Sequence, residues 1–331
     1  MEIYNTFQIS IDSGKAYTKG LIRNEQGIIE RVKFRTKVAE VDSNFGMEIT
    51  SGNYLVELNE KRFLVGDSLG EERLNYDYTK QTTENLISIY LAIVQLLEKS
   101  GLKHTMAKIN LALNIPLSHY RNETLKKDFE KYIRKEGKPV GMAVNGKPFA
   151  FVIDSILLLP EAVGPIYKSM NDFRNKRVVV FDVGSLNTSI LEFNNLVPQY
   201  DRMAVSTLGV NILRSSIAET LSTHYGTTVT DDDAEQVIRD GYLYLYGQKQ
   251  EESKEIIEKA MVNHVKAILN FAKSRKISFS NVEIIFCGGG SILLNDYLLT
   301  ELKFSSIITD AQFANVLSFL QVLEAKHNGK A

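Results

Sequence analysis

A short polar turn between two apolar strands occurs twice, half a chain apart, and it limits the possible folds more than any other feature of the sequence. The stretch Arg177–Phe193, RVVVFDVGSLNTSILEF, reads as a buried strand over Val178–Phe181, then a tight turn carrying Asp182, Val183, Gly184 and Ser185. A second strand follows over Thr188–Phe193. A β-branched and aromatic run broken by D-x-G is a hairpin signal. The echo is Phe7–Ile22, FQISIDSGKAYTKGLI, where Asp12 aligns with Asp182, Gly14 with Gly184 and Thr18 with Thr188. Aspartate and threonine are 6 residues apart in both copies, and the copies lie 170 residues apart, a period far too long for a solenoid. The expectation is two similar α/β domains, each offering one hairpin to a shared cleft.

Length and charge agree with that expectation. A chain of 331 residues exceeds the usual single-domain size, and 44% hydrophobic residues suffice for packed cores. The 39 basic residues are balanced by 40 acidic ones, unlike a protein that coats nucleic acid. One cysteine, Cys287, excludes an internal disulfide and fits a reducing, cytoplasmic setting. The first residues lack a signal-peptide pattern, and no apolar run approaches the roughly 20 residues of a membrane span.

In chain order, strands are expected at Phe7–Ile11, Thr18–Arg23 and Ile28–Phe34, with residues 35–80 as a small, less regular excursion. Within it, Tyr54–Leu58 and Arg62–Val65 form a hairpin turned at Asn59 and Glu60. Asn85–Ser100 carries a helical apolar face stopped by Gly101. Lys108–Asn114 reads as a strand and Arg121–Lys135 as an amphipathic helix. Met142–Val144 and Phe149–Ile153 pair around Asn145-Gly146. Within Leu157–Lys168 a helix is expected, with Pro160 at its first position and Glu161 in its first turn. Past the second D-x-G unit come a strand at Tyr200–Val205 and a helix at Val210–Tyr225. A short acidic helix capped at Thr230 or Asp231 follows, and a long helix spans Glu251–Ser274. Val282–Phe286 is a buried strand leading into Cys287-Gly288-Gly289-Gly290-Ser291. Helices at Ile292–Glu301 and Ala311–Lys326 close the chain, the last returning to the first domain.

Three polar turns therefore follow buried strands, at Asp12, Asp182 and Gly288. A glycine triplet lets backbone approach a flat or phosphorylated ligand closely, because no Cβ intervenes. An aspartate in such a turn also caps its own backbone, but two in matching frames suit a magnesium-bound phosphate. Mg²⁺ keeps several waters and uses one or two carboxylates. Lys19, in the second strand of the first hairpin, has the reach to meet a phosphate as a point charge; Lys15 sits in the turn itself. No P-loop, G-x-G-x-x-G after a strand, zinc-ligand spacing or G-x-S-x-G elbow occurs.

The set DSGKAYTK at 12–19, LLPEAVGP at 158–165, DVGSLNTS at 182–189 and CGGGS at 287–291 resembles the actin-like ATPase superfamily. The ending DAQFANVLSFLQV at 310–322 is similar to the ParM-type plasmid-segregation actins of bacteria and their archaeal actin-like relatives. The resemblance implies an α/β, two-lobed actin-like (ribonuclease H-like) fold with a nucleotide cleft between the lobes. Domain I would span 1–165 with a small subdomain at about 35–80, completed by a C-terminal helix at 311–331. Domain II would span 166–310 with a small subdomain at about 226–275.

By the same resemblance, Asp12, Ser13, Gly14, Lys15 and Lys19 form the first phosphate loop, and Gly184, Ser185, Asn187 and Thr188 the second. Asp182 serves catalysis and, with Asp12, the metal. Glu161 stands where the family places its water-orienting acid. Gly209 lies near ribose and phosphates, and Gly288, Gly289, Gly290 and Ser291 contact the adenosine. Glu235 and Arg239 fall where ribose or adenine contacts arise, although an i,i+4 surface pair explains them equally. Asn187 and Ser189 depart from the second loop's common threonine and acid. The implied function is a filament-forming ATPase using ATP or GTP with Mg²⁺ and driving plasmid segregation. Its partners are other copies of itself and a DNA-binding adaptor, with no direct contact to nucleic acid or membrane. A sugar or small-molecule kinase, or a non-hydrolysing interaction protein, are the alternatives on the same fold.

Overall fold

The computed structural model describes residues 5–42, 44, 46, 48–73, 79–101, 106–327 and 329. Two units compose it. One takes in Met1–Lys168 and Phe313–Ala331; the other is the continuous stretch Ser169–Gln312.

In the first unit the strands are β1 (Thr6–Ser13), β2 (Tyr17–Arg23), β3 (Ile29–Arg35), β4 (Val38–Val41), β5 (Asn53–Leu58), β6 (Lys61–Gly66), β7 (Ala107–Ile115), β8 (Val140–Val144) and β9 (Lys147–Pro160). They form a nine-stranded sheet in the order β3-β2-β1-β7-β9-β8-β5-β6-β4. β1 is antiparallel to β2 and parallel to β7, which is parallel to β9. The helix Thr83–Lys99 packs on this sheet, and its N-terminus is capped by the Thr82 side chain, which accepts from Asn85 N. Its Ile87, Ile89, Leu91, Ala92, Ile93 and Val94 are fully buried. The helix Ala314–His327 packs on β1, β2 and β7. Ser10 Oγ donates to Val316 O at 2.8 Å, and Arg23 meets Glu324 at 2.8 Å.

One expectation is filled in here and one changes. The stretch 35–80, expected as a small, less regular excursion, contributes β4, β5 and β6 to the main sheet, where β4 pairs with β6 and β5 with β8. Pro160 does not open a helix. Leu157–Pro160 continues β9, in parallel register with β7 from Leu157 opposite Ala112 to Pro160 opposite Ile115. The helix begins only at Gly164, so Glu161 lies in the turn between strand and helix. The expected excursion at 35–80 lies partly outside the described residues.

The second unit contains β10 (Arg177–Val183), β11 (Thr188–Asn194), β12 (Val197–Ser206), β13 (Leu243–Leu245), β14 (Gln248–Gln250), β15 (Glu283–Cys287) and β16 (Ser306–Ile307). The small hairpin β13–β14 and the short β16 have no counterpart in the sequence reading. The main sheet runs β12-β11-β10-β15-β16. This repeats β3-β2-β1-β7-β9 strand for strand, with two antiparallel and then two parallel pairings in each. Val178, Val179, Val180 and Phe181 are all fully buried, as expected for a central strand covered on both faces. Helices Val210–Tyr225, Asp231–Asp240 and Ser253–Ser274 supply Leu213, Ile217, Val237 and Ile268 to the same core. Among the described residues no helix is long and apolar enough to cross a membrane.

Candidate functional site

The first turn stands where β1 ends. The register sets Asp12 opposite Lys19 and Ser13 opposite Thr18. Lys19 Nζ donates to Asp12 Oδ2 at 2.8 Å, with both side chains about nine-tenths buried. Gly14 N donates to Tyr17 O at 3.1 Å and closes the turn. Lys15 Nζ points elsewhere, to Thr79 O at 3.2 Å. Lys19 is therefore tied to the acid of its own hairpin. An ion or phosphate arriving at this turn meets a pair and not two separate charges.

Behind the turn lies a closed ring of hydrogen bonds. Ser13 N donates to Asn114 Oδ1 at 3.0 Å, and Asn114 Nδ2 donates to Glu161 Oε1 at 3.2 Å. Lys80 Nζ donates to that same oxygen and to Ser13 O, each at 3.1 Å. Asn85 Nδ2 donates to Lys80 O at 2.7 Å, and Ser13 Oγ donates to Asn85 Oδ1, which completes the circuit. Lys80, Asn85 and Asn114 are 7%, 7% and 2% exposed, so their polar groups need these partners. Glu161 Oε2 has no hydrogen bond to a described residue. The turn that presents Glu161 holds Ala162 at φ 65, a left-handed conformation rare for a residue with a side chain.

In the second unit the same backbone bond recurs: Gly184 N donates to Asn187 O at 2.9 Å. Asp182 stands opposite Ser189 across the hairpin. Close packing of backbone marks this turn. A Cβ on Gly209 would lie 2.1 Å from Ser185 O, so this position must be glycine for the chain to pass over the turn. Gly288 has φ +86, and a Cβ there would come within 2.5 Å of Asp182 Oδ1 and Val183 O. The N-terminal N–H groups of helix Val210–Tyr225 serve the turn: Val210 N donates to Gly184 O at 3.1 Å and Asn211 N to Ser185 O at 3.0 Å. Thr188 Oγ1 donates to Leu208 O at 2.7 Å. A Cβ on Gly290 would strike Val183 and Val210, and Ser291 Oγ donates to Gly288 O at 2.8 Å. Asp182, Gly184, Ser185, Asn187, Thr188, Gly209 and Gly288–Ser291 thus form one cluster inside this unit.

Glu235 and Arg239 part company. Glu235 pairs with the buried Arg214 of the preceding helix at 3.0 Å, whereas the exposed Arg239 lies 3.6 Å from Asp240. Lys80, Asn85, Asn114 and Arg214 are absent from the sequence-derived set. Only Asn114 left a signal, as a polar residue inside a nine-residue strand that is otherwise mostly apolar. Among the described residues no group of three or more His, Cys, Asp or Glu side chains is placed to hold a metal ion.

Residues 10–164 match the family model "Actin like proteins N terminal domain", and residues 180–300 match "Archaeal actin homologue MreB-like, C-terminal". No curated protein matches the sequence. Among solved structures, the archaeal actin homologue Ta0583 aligns with TM-score 0.78 and 18% identity, over 96% of this chain and 99% of that one. A Ta0583 complex with ADP aligns at TM-score 0.72 and 20% identity, over 96% and 99%. A 15-stranded ParM filament from Clostridium botulinum gives 0.78 and 21%, over 97% and 99%. An Alp12 filament structure gives 0.72 and 25%, over 98% and 99%.

Proposed function

We propose, for a chain that belongs to the actin-like proteins, that it binds and hydrolyses a nucleoside triphosphate and assembles into filaments. The observation that carries this reading is the duplicated acid–x–glycine turn, closed in each unit by the same glycine N–H to carbonyl bond. The ADP complex of Ta0583 and the ParM and Alp12 filament structures support it from outside the chain.

In this reading Ser13, Gly14, Lys15 and Lys19 bind phosphate from the first unit, and Gly184, Ser185, Asn187 and Thr188 from the second. Gly209 and Gly288–Ser291 contact the nucleoside, packed against the second loop so closely that a Cβ at Gly209 or Gly288 would strike it. Asp12 and Asp182 suit Mg²⁺, which retains waters and takes one or two carboxylates, and which when bound would offset phosphate charge. Glu161 orients the attacking water: its Oε1 is held by Lys80 and Asn114, and its Oε2 is left to accept from that water. Assembly follows if nucleotide binds one conformation better than the other. A DNA-binding adaptor coupling such filaments to a plasmid is the role suggested by the ParM-like ending.

The test is phosphate release and sedimentation with ATP, GTP and a non-hydrolysable analogue, in Mg²⁺. The expected result is nucleotide-dependent pelleting, with phosphate release reduced about 100-fold by Glu161→Gln. Absence of pelleting at tens of micromolar protein with any nucleotide removes assembly from the reading. Phosphate release untouched by Glu161→Gln removes the catalytic assignment.

A further inference from the structure

We propose that Lys80 is a positioning residue that aims Glu161 and makes its pose depend on the first turn. The inference rests on the proposed hydrolytic function for its kinetic consequences, but its structural content is separate.

A lysine ammonium is costly to bury unless its donors are taken. Lys80 is 7% exposed, and its Nζ is shared between Glu161 Oε1 and the main-chain oxygen of Ser13, at 3.1 Å each. One contact lies on the acid and the other on the turn. The lysine's own main chain is fixed as well, because its carbonyl accepts from Asn85 Nδ2, while Asn85 accepts from the Ser13 hydroxyl. Ser13 is therefore gripped through its N–H, its carbonyl and its hydroxyl, and each grip leads round the ring to Lys80 or Glu161.

A carboxylate held by a single amide can swing about its terminal torsion, which is a broad well. Two donors on one oxygen, Asn114 Nδ2 and Lys80 Nζ, fix the plane of the group and leave the other oxygen as the one that addresses water. Asn114 also holds Ser13 N, so the acid and the turn cannot move independently while the ring is closed. A phosphate that shifts the Ser13–Gly14 backbone shifts the carboxylate with it. This gives the acid a means of responding to occupancy of the turn without touching the phosphate.

The experiment compares wild type, Lys80→Met, Glu161→Gln and the double variant as full chains, measuring ATP affinity and single-site turnover separately. The expected result is a kcat about 10- to 100-fold lower in Lys80→Met, the scale on which small misplacements act. ATP affinity should change by less than about threefold. In the Glu161→Gln background the same substitution should change kcat by less than about twofold, since both act through one carboxylate. Multiplicative losses overturn the proposal, as does weakened ATP binding with unchanged kcat, which would assign Lys80 to the turn alone. If Lys80→Met does not fold, Lys80→Gln removes the charge while keeping a donor. If wild type releases no phosphate, the proposed function fails, and the inference is then read from a crystal structure of the Lys80 variant. There a Glu161 carboxylate that keeps its place against Asn114 overturns it.

Discussion

Asp12 and Asp182 occupy the same position in two five-strand frames of the same order, yet the residue across the hairpin is Lys19 in one and Ser189 in the other. The first unit surrounds its turn with ionic and amide side chains: Lys19, Lys80, Asn85, Asn114 and Glu161. The second surrounds its turn with backbone, brought close by Gly209 and Gly288. A frame can thus be duplicated in its backbone while the two copies come to depend on different physics. One is sensitive to an unpaired charge, the other to an added methyl group.

The largest expected effect tests the ionic half. Asp12→Asn strips a buried ammonium of its carboxylate and should destabilise the first unit by about 4 kcal/mol in denaturant titration. A loss under about 1 kcal/mol would break the comparison. Next, Gly209→Ala drives a Cβ against Ser185 O and should cost about 3 kcal/mol, while Gly14→Ala, whose Cβ would meet Tyr17 O at 2.8 Å, should cost about 1 kcal/mol.

A pH series sharpens the contrast further. His264 is buried in the helix Ser253–Ser274, its Nε2 has no hydrogen-bond partner among the described residues, and burial lowers its pKa from 6.5 to about 4. Its folded value lies below its unfolded one, so the unfolded chain takes up the proton first. Stability is therefore whole above about pH 6.5 and falls as pH drops towards 4, by up to about 3 kcal/mol. His264→Leu should flatten that slope in the second unit's transition, read by circular dichroism. A further small effect is Thr230→Ala, which opens a capping box with Asp233 and should lower stability by about 1 kcal/mol.

What the sequence disclosed follows the range of the interactions involved. The two turns were legible because each is local: strand, acid, glycine and threonine lie within a dozen residues. The same holds for the Thr230 cap and the Asn145-Gly146 hairpin. Leu157–Pro160 misled because Pro-Glu mimics a helix start, while the pairing that keeps it a strand comes from β7, more than forty residues earlier. Lys80 gave no warning at all. Its partners are 67 and 81 residues away along the chain, and its neighbours in sequence are mostly polar. The β13–β14 hairpin was hidden by its composition, since Gln248-Lys249-Gln250 has no strand pattern.

The helix Ala314–His327 has a consequence for synthesis. It seals Leu21 with Val316, Leu317 and Leu320, but it is translated after every residue of Ser169–Gln312. The second unit is therefore translated in full before the first gains the helix that covers its apolar surface. The older part of the polypeptide is finished last, and a nascent chain stalled near residue 312 should present that uncovered flank to chaperones.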